Sequence, residues 1–306
     1  MAALSTFSRF FNCLGRDTVG REAWDVGSEL GRGSAGVVYR VENRITQVKG
    51  AMKVIDYDSR SMTPEAWATL RERTIRETKI LRLLDHPNIV KLYDFFDWNG
   101  SWCLVIELVH GGNLVELIQN HPDGKLPEEQ ARGIFSQIVT AMKYCHAHRV
   151  VHRDLKLENI LIDQKSNLIK ITDFGFADFF DEKTCLKSCC GSPMYAAPEI
   201  YLGIPYRGPP LDAWSLGVLL FCLLAGTFPW THSKKGYNLG REVISGRFEP
   251  PAHISPVAQG LIKRLLVVNP DDRPSMDDIL GDPWMKIGLD KIKSVVSEPM
   301  WNVSLE

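Results

Sequence analysis

The hydrophobic pattern of this 306-residue chain changes near residue 111. Before that point, short runs of β-branched and apolar residues predict strands at 37–41, 51–55 and 103–106. Beyond it, apolar residues recur at helical spacing, first in a helix that Pro127 opens. A chain with this order of patterns should fold as an α+β protein, with a small β-rich half followed by a larger α-helical half.

One predicted helix interrupts the strand-rich half. Thr63-Pro64 is a good helix start, and the helical spacing of apolar residues continues to a break at His86-Pro87. In the second half, further helices are predicted around 211–225, 256–267 and 275–280. The longest apolar run, from Leu216 to Gly226, is shorter than the about 20 residues that span a bilayer. We therefore expect a buried helix there and no transmembrane segment.

Composition narrows the possible functions. The formal net charge of −1 gives no general attraction to nucleic acid or acidic membranes, so we do not expect nucleic acid as a partner. The seven cysteines lack paired metal-ligand spacing, which indicates reduced thiols in a cytoplasmic or nuclear protein. The adjacent Cys189 and Cys190 are expected to be small packing residues, with redox-sensitive thiols as the alternative.

Residues 1–23 differ from the rest of the chain. Apolar residues recur at helical spacing between Leu4 and Leu14, among basic residues and before any acidic one. This segment is interpreted as a frayed, disordered or loosely docked amphipathic extension, with a targeting or membrane-surface helix as the alternative. We place the folded domain at 24–285 and a short tail at 286–306.

A glycine-rich pattern spans Gly31-Arg32-Gly33-Ser34-Ala35-Gly36. Dinucleotide-binding folds use the same spacing at the start of a helix, but here the last glycine precedes a predicted strand. That order favours a hairpin whose backbone N–H groups approach phosphate oxygens, because glycine has no Cβ atom. A plain turn, or a dinucleotide-dependent oxidoreductase, is the alternative. The oxidoreductase would need a suitably placed acid at the end of a later strand, and we find none.

A lysine and a glutamate extend this phosphate-binding hypothesis. Lys53 lies 17 residues after Gly36 within a predicted strand, where its ammonium group could hold α- and β-phosphates. The alternative interpretation is that Lys53 is a solvated lysine on the surface. Glu77 lies on the predicted helix and could pair with Lys53, or with Arg73 one helical turn earlier.

The most specific motif is His152-Arg153-Asp154, with Lys156 and Asn159 after it. Asp173-Phe174-Gly175 follows 14 residues beyond Asn159, and the motif Ala197-Pro198-Glu199 comes next. With these motifs in this order, the chain resembles the eukaryotic protein serine/threonine kinases over about residues 24–285. Three further segments are similar to the calcium/calmodulin-dependent kinase group, nearest to its AMP-activated/SNF1-related branch, at 191–199, 206–212 and 224–230.

This resemblance implies the two-lobed protein kinase fold. The N-lobe would span 24–106, a hinge 107–112 and the C-lobe 113–285, with ATP bound between the lobes and Ile106 as gatekeeper. The residues implied in ATP binding are Leu30, Gly31, Arg32, Gly33, Ser34, Ala35, Gly36, Val37, Val38, Ala51, Lys53, Glu77, Glu107 and Val109.

The resemblance also implies the chemistry. Asp154 would orient and deprotonate the substrate hydroxyl, and Lys156 would neutralise the transferring phosphoryl group. Asn159 and Asp173 would bind Mg²⁺. The alternative is a pseudokinase, a nucleotide-binding scaffold without turnover, but such proteins usually lack Lys53-, Asp154- or Asp173-type residues.

Regulation and structural roles follow from the same resemblance. In such kinases the arginine at Arg153 often pairs with a phosphorylated activation-loop residue, which implies an upstream activating kinase as a partner besides protein substrates. Alignment with the family pattern places Ser188 at that phosphosite, with Thr184 as second choice. Ser192 is expected to hydrogen-bond near the catalytic aspartate and lysine instead.

Six other residues have structural or specificity roles under this resemblance. Glu199 and Arg273 would form a buried ion pair, and Asp212 would brace the backbone of the His-Arg-Asp motif. Asn113 and Cys222 stand where basophilic relatives often carry acids, although Glu158 remains. Strict selection for two upstream arginines in the substrate is therefore not expected.

Overall fold

The structure is a computed structural model, and it describes residues 20–33, 36–56, 62–163, 165–230 and 238–288. The chain divides into two compact units, residues 1–110 and residues 111–306. The first unit is built on a β-sheet and the second is mainly helical. The predicted α+β class, with its strand-rich part first, is confirmed.

The first unit is a five-stranded antiparallel sheet in the order β1-β2-β3-β5-β4. Its strands are β1 (Trp24–Gly33), β2 (Gly36–Asn43), β3 (Lys49–Asp56), β4 (Leu92–Trp98) and β5 (Ser101–Glu107). The three predicted strands fall within β2, β3 and β5 and are confirmed. We did not single out β1 or β4, because β1 carries three glycines and β4 two aspartates, which weaken a strand signal.

Both faces of this sheet are covered. Cys103 and Val105 of β5 lie in one core cluster, whereas Trp102 and Leu104 lie in a second cluster. Because successive side chains of a strand point to opposite faces, the two clusters lie on opposite faces of the sheet. This explains why β5 appears in the sequence as a continuous apolar run and not as an alternating one.

The long helix of this unit is α1 (Pro64–Leu83). Its predicted start is confirmed, because the Thr63 hydroxyl accepts a hydrogen bond from the N–H of Ala66 at 3.2 Å. The helix ends at Leu83, before the predicted break at His86, since Leu84 already has extended backbone. Glu77 is buried on this helix.

The second unit contains eight helices within its described residues. They are α2 (Leu114–Gln119), α3 (Glu128–Ala147), α4 (Pro198–Tyr201), α5 (Gly208–Ala225), α6 (Leu239–Ser245), α7 (Pro256–Leu265), α8 (Met276–Leu280) and α9 (Pro283–Lys286). The predicted helices correspond to α3, α5, α7 and α8. Four short strands accompany them: β6 (Val150–Val151), β7 (Ile160–Ile162), β8 (Ile169–Ile171) and β9 (Asp178–Phe179). Strand β6 pairs with β9, and β7 pairs with β8.

Helix α5 forms the centre of this unit. Every residue from Leu211 to Leu224 is buried, on all sides of the helix. Within the described part of the chain, α5 is the one helix long and apolar enough to cross a membrane, yet 83% of it is buried in the fold. It is therefore a core helix, as its apolar run predicted. Gly217 allows α7 to approach closely, because a Cβ atom there would lie 2.8 Å from the Cβ of Leu265.

We predict that Gly217→Ala lowers the free energy of unfolding by about 1–3 kcal/mol, because the added methyl group overlaps α7. Gly133→Ala in α3 is the matched control, since no neighbour lies within 4 Å of a Cβ atom built there. The control should instead stabilise by up to about 1 kcal/mol through helix propensity. Urea denaturation measures both variants, and equal effects would contradict the close approach at Gly217.

Candidate active site

The glycine-rich segment forms the hairpin between β1 and β2. Gly31 lies opposite Val38, and Gly33 lies opposite Gly36. The predicted strand after the last glycine is confirmed, and it excludes the helix that a dinucleotide-binding loop requires. Ser34 and Ala35, at the tip of the pattern, lie outside the described residues.

The physical reason for having glycine differs from one position of this hairpin to another. Gly36 has a φ of 126°, and a Cβ atom there would lie 2.1 Å from the carbonyl oxygen of Val54, so only glycine fits. Gly31 and Gly33 have nothing within 4 Å of their Cβ positions. Packing in the described residues does not require glycine at these two positions, which leaves open space for a ligand to approach the backbone.

Lys53 and Glu77 form an ion pair inside the first unit. The Nζ of Lys53 lies 3.2 Å from Oε1 of Glu77, and the two side chains are only 16% and 6% exposed. The interpretation of Lys53 as a solvated surface lysine is therefore wrong, and Glu77 reaches Lys53 across from α1. A pair this buried is little screened by salt, so it fixes the direction of the lysine side chain.

The other predicted nucleotide-binding residues of this unit have varied surroundings. Ala51 is buried on β3, directly opposite the predicted gatekeeper Ile106 on β5. Val37 and Val38 are half-buried on β2, and Glu107 and Val109 are half-buried at and after the end of β5. Leu30 and Arg32 are exposed on β1, where Arg32 pairs with Glu29 at 2.9 Å.

In the second unit, Asp154 is the centre of a hydrogen-bonded cluster. The Nζ of Lys156 lies 2.7 Å from Oδ2 of Asp154 and 2.8 Å from the hydroxyl of Ser192. The N–H of Ser192 donates to Oδ1 of Asp154 at 2.7 Å. The amide of Asn159 donates to the backbone carbonyl of Asp154 at 2.9 Å. The expectation that Ser192 hydrogen-bonds beside Asp154 and Lys156 is confirmed.

This cluster can carry out proton transfer. Both carboxylate oxygens of Asp154 are held by donors, and the residue is 3% exposed, so the carboxylate has one orientation. A carboxylate held in this way can accept a proton from a hydroxyl group brought against it. The ammonium group of Lys156 lies beside it and can stabilise negative charge that develops on an incoming group.

Asp212 braces the backbone that carries this cluster. Its Oδ2 accepts the N–H of His152 at 3.0 Å, and its Oδ1 accepts the N–H of Arg153 at 2.9 Å. The Nε2 of His146 lies 2.9 Å from the same carboxylate. Burial would raise the pKa of Asp212, but the hydrogen bonds from His146 and the backbone of Arg153 outweigh it and lower the pKa. The brace implied by the family resemblance is confirmed.

Two further contacts are present in the second unit, and the first of them is the ion pair that the resemblance implied. Arg273 donates to both carboxylate oxygens of Glu199, at 2.7 Å and 2.8 Å, with both side chains buried. The ring of Phe174 lies 4.8 Å from that of His152. These residues stabilise the core beside the cluster and do not belong to its chemistry.

Arg153 and Ser188 come together as predicted. The Nη1 of Arg153 donates to the hydroxyl of Ser188 at 2.7 Å, and Ser188 and Thr184 are both exposed residues. The same guanidinium contacts Asp178 and Tyr206, which we did not predict. No local sequence pattern reveals these two contacts. Asp178 is brought to Arg153 by the two-residue pairing of β6 with β9. Tyr206 is brought to the same region by a single β-bridge to Leu186. His146 was missed for the same reason: its partner is distant in sequence.

The cysteines have two kinds of environment. Cys103, Cys145 and Cys222 are buried, and burial raises the pKa of Cys103 to about 12, which suits packing residues. Cys189 is exposed, so the expectation that it is a packing residue is wrong, whereas Cys190 is half-buried. Cys189 follows Ser188 in a segment that carries no helix or strand, where few neighbours cover it.

Comparison with known proteins identifies the arrangement. The family model described as a protein kinase domain matches residues 24–285. The chain belongs to the protein kinase domain family. Its sheet-based first unit, its helical second unit and the Asp154 cluster are therefore parts of a kinase domain.

Three relatives illustrate the similarity. The chain is 38% identical over 273 residues to a probable serine/threonine-protein kinase MARK-C of Dictyostelium discoideum, covering 88% of this chain and 34% of the relative. It is 39% identical over 263 residues to the serine/threonine-protein kinase SIK2 of Gallus gallus, covering 86% and 32%. It is also 39% identical over 266 residues to SIK1 of Mus musculus, covering 86% and 32%. The chain spans about a third of the length of these relatives.

Kinase domains in general use ATP and a divalent metal ion. Two residues of the second unit fit such an ion. The Nδ2 of Asn159 is committed to two acceptors on Asp154, so its amide oxygen faces away from them and remains a suitable ligand. Asp173 is the second candidate ligand, because the N–H of the preceding Thr172 donates to the carbonyl of Asn159 at 2.9 Å and brings the two backbone segments together.

The surroundings of Asn113 and Cys222 bear on substrate specificity. Asn113 caps α2 by accepting the N–H of Glu116 at 3.0 Å, and Cys222 is buried within α5. Neither position offers a carboxylate to a substrate. Glu158 is exposed, 3.5 Å from the hydroxyl of Tyr195.

We predict that Asp212→Asn lowers the free energy of unfolding by about 3 kcal/mol, because an amide N–H then faces the buried N–H groups of His152 and Arg153. Asp277→Asn is the matched control. Asp277 also pairs with a cation, Lys143, but its side chain is 71% exposed. The control should change stability by less than about 1 kcal/mol. Thermal and urea denaturation would show the contrast, and similar losses in the two variants would contradict the brace.

Proposed function

We propose that this chain transfers the γ-phosphoryl group of ATP to serine and threonine hydroxyls of protein substrates, with Mg²⁺ as the metal ion. The observation that carries this proposal is the cluster in which Lys156 bridges Asp154 and Ser192. A lysine two residues after the catalytic aspartate is typical of serine/threonine kinases. The relatives named above are called serine/threonine-protein kinases, which agrees with this choice.

The chemistry follows from the arrangement of the cluster. A substrate hydroxyl placed against Asp154 would be oriented by one carboxylate oxygen, and its proton would pass to that carboxylate. The hydroxyl oxygen would then bond to the γ-phosphorus while the bond from that phosphorus to the β–γ bridging oxygen breaks. Charge spreads over the phosphoryl oxygens during this transfer, and Lys156 is placed to stabilise it.

Residues of the first unit would hold the nucleotide, and two residues of the second unit would hold the metal ion. Lys53, fixed by Glu77, would bind phosphate oxygens, and the hairpin of β1 and β2 would cover them with backbone N–H groups. Asn159 and Asp173 would bind Mg²⁺, which neutralises phosphate charge when bound. Ala51 and the residues at the end of β5 would contact the adenine base.

We further propose that phosphorylation of Ser188 raises this activity. The hydroxyl of Ser188 is already 2.7 Å from a guanidinium nitrogen of Arg153, so a phosphate there would form charge-assisted hydrogen bonds. Arg153 is also part of the backbone that carries Asp154. A phosphate on Ser188 would therefore stabilise the segment on which Lys156 and Ser192 depend.

The proposed activity predicts that Asp154→Asn reduces transfer from labelled ATP to a generic protein substrate by about 10²–10⁴-fold, because the proton acceptor is lost. Lys53→Met should also lose activity while keeping its fold, as judged by its thermal unfolding. Omission of Mg²⁺ should abolish the signal. If wild type and Asp154→Asn gave equal signals, the activity would come from a contaminant, and the chain would be a nucleotide-binding scaffold.

The Ser188 proposal predicts that Ser188→Ala responds less to an activating kinase than wild type does. Treatment of wild type should add one phosphate at Ser188 and raise the rate, because the phosphate adds acceptors for Arg153. Thr184→Ala is the matched control and should respond like wild type. Mass spectrometry locates the phosphate, and an unchanged response in Ser188→Ala would sink the proposal.

A further inference from the structure

The guanidinium group of Arg153 joins four parts of the second unit. Its Nε donates to the carbonyl of Phe176 at 2.7 Å, and its Nη2 donates to the carboxylate of Asp178 at 2.9 Å. Its Nη1 donates to the hydroxyl of Ser188 at 2.7 Å and to that of Tyr206 at 3.3 Å. An arginine that holds four partners ties their positions together.

Arg153 is buried and forms an ion pair with the half-buried Asp178. The two side chains are 4% and 19% exposed, so water and salt screen their attraction only weakly. Backbone geometry places them together, because Asp178 pairs with Val151 in the β6–β9 ladder, two residues before Arg153. A buried arginine needs an anionic partner, and in the unphosphorylated protein Asp178 supplies it.

The segment around Ser188 is also held without a phosphate. Leu186 and Tyr206 exchange two backbone hydrogen bonds, at 2.9 Å and 3.0 Å. The hydroxyl of Tyr206 donates to the carbonyl of Ser188 at 2.8 Å. Neutral hydrogen bonds and the Asp178 carboxylate therefore contact this segment and the Arg153 side chain without any phosphate.

From these contacts we propose that Asp178 is a positioning residue that substitutes for the activating phosphate. It compensates the charge of Arg153 and orders the segment 178–192 in the unphosphorylated kinase, which therefore already has part of its activity before a phosphate on Ser188 raises it further. This inference rests on the proposed kinase function and concerns its regulation. A phosphate on Ser188 would share the same guanidinium with Asp178, so the two anions act as alternatives and their effects are not additive.

The test uses four forms of the full chain, which combine Asp178 or the substitution Asp178→Asn with serine or phosphoserine at position 188. Phosphoserine is installed during synthesis by an expanded genetic code, so no upstream kinase is needed. Without phosphate, Asp178→Asn should lower kcat about tenfold, the order expected for loss of one charge-assisted hydrogen bond. With phosphoserine, the same substitution should change kcat by less than about threefold.

A phosphate should accordingly activate the Asp178→Asn protein about three to ten times more than it activates wild type. Equal losses of kcat in both phosphorylation states would show that Asp178 only supports the fold, and would overturn the proposal. No loss in either state would overturn it as well. Glu182→Gln is the matched control, because Glu182 pairs with Arg149 in the same region of the chain but both side chains are exposed. It should leave both states unchanged.

A second measurement does not depend on catalysis. Amide hydrogen exchange of residues 181–191 reports the order of the segment directly. Asp178→Asn should speed this exchange at least about fivefold in the serine form and not in the phosphoserine form. Unchanged exchange in the serine form would overturn the proposal about Asp178. Failure of the proposed kinase function would give a different result from failure of the Asp178 proposal. None of the four forms would then transfer phosphate, although the pattern of amide exchange would remain as expected.

Discussion

The second unit depends on one buried carboxylate. Asp212 accepts the backbone N–H groups of His152 and Arg153, and these residues lead directly into Asp154. Buried backbone N–H groups need an acceptor, and for these two residues a side chain from elsewhere in the fold provides it. Asp212 can provide it because it lies near the start of α5, the helix around which the unit is packed. The position of the candidate catalytic group is thus determined by the core.

Arg153 extends this constraint outward to the surface. Its backbone is held by Asp212, and its side chain is held by Phe176, Asp178, Ser188 and Tyr206. A single residue therefore connects a rigid interior to a segment that carries an exposed hydroxyl. Under the proposed phosphorylation of Ser188, the added charge would lie against the guanidinium of the residue that precedes Asp154, so no displacement of packed helices would be required for it to act there.

The sequence predicted the strands β2, β3 and β5 and the helices α1, α3, α5, α7 and α8, because each combines strong periodicity with clear terminal residues. It also predicted the motif residues of the site, through their spacing and resemblance. It could not reveal Asp178, Tyr206 or His146. Each acts through a partner far away in the chain, by way of a two-residue strand, an isolated bridge or a single side-chain contact. Such short pairings leave no repeating pattern to detect.

The burial of α5 has a consequence for how this chain can be divided. A helix that is apolar on every side has no face that water can solvate, so it has no stable surface of its own. A fragment that ends before α7 would leave much of this helix uncovered, with a large contiguous apolar area open to other chains. Proteolysis or truncation within the second unit should therefore yield insoluble material instead of a smaller folded domain, which makes this unit a single cooperative block.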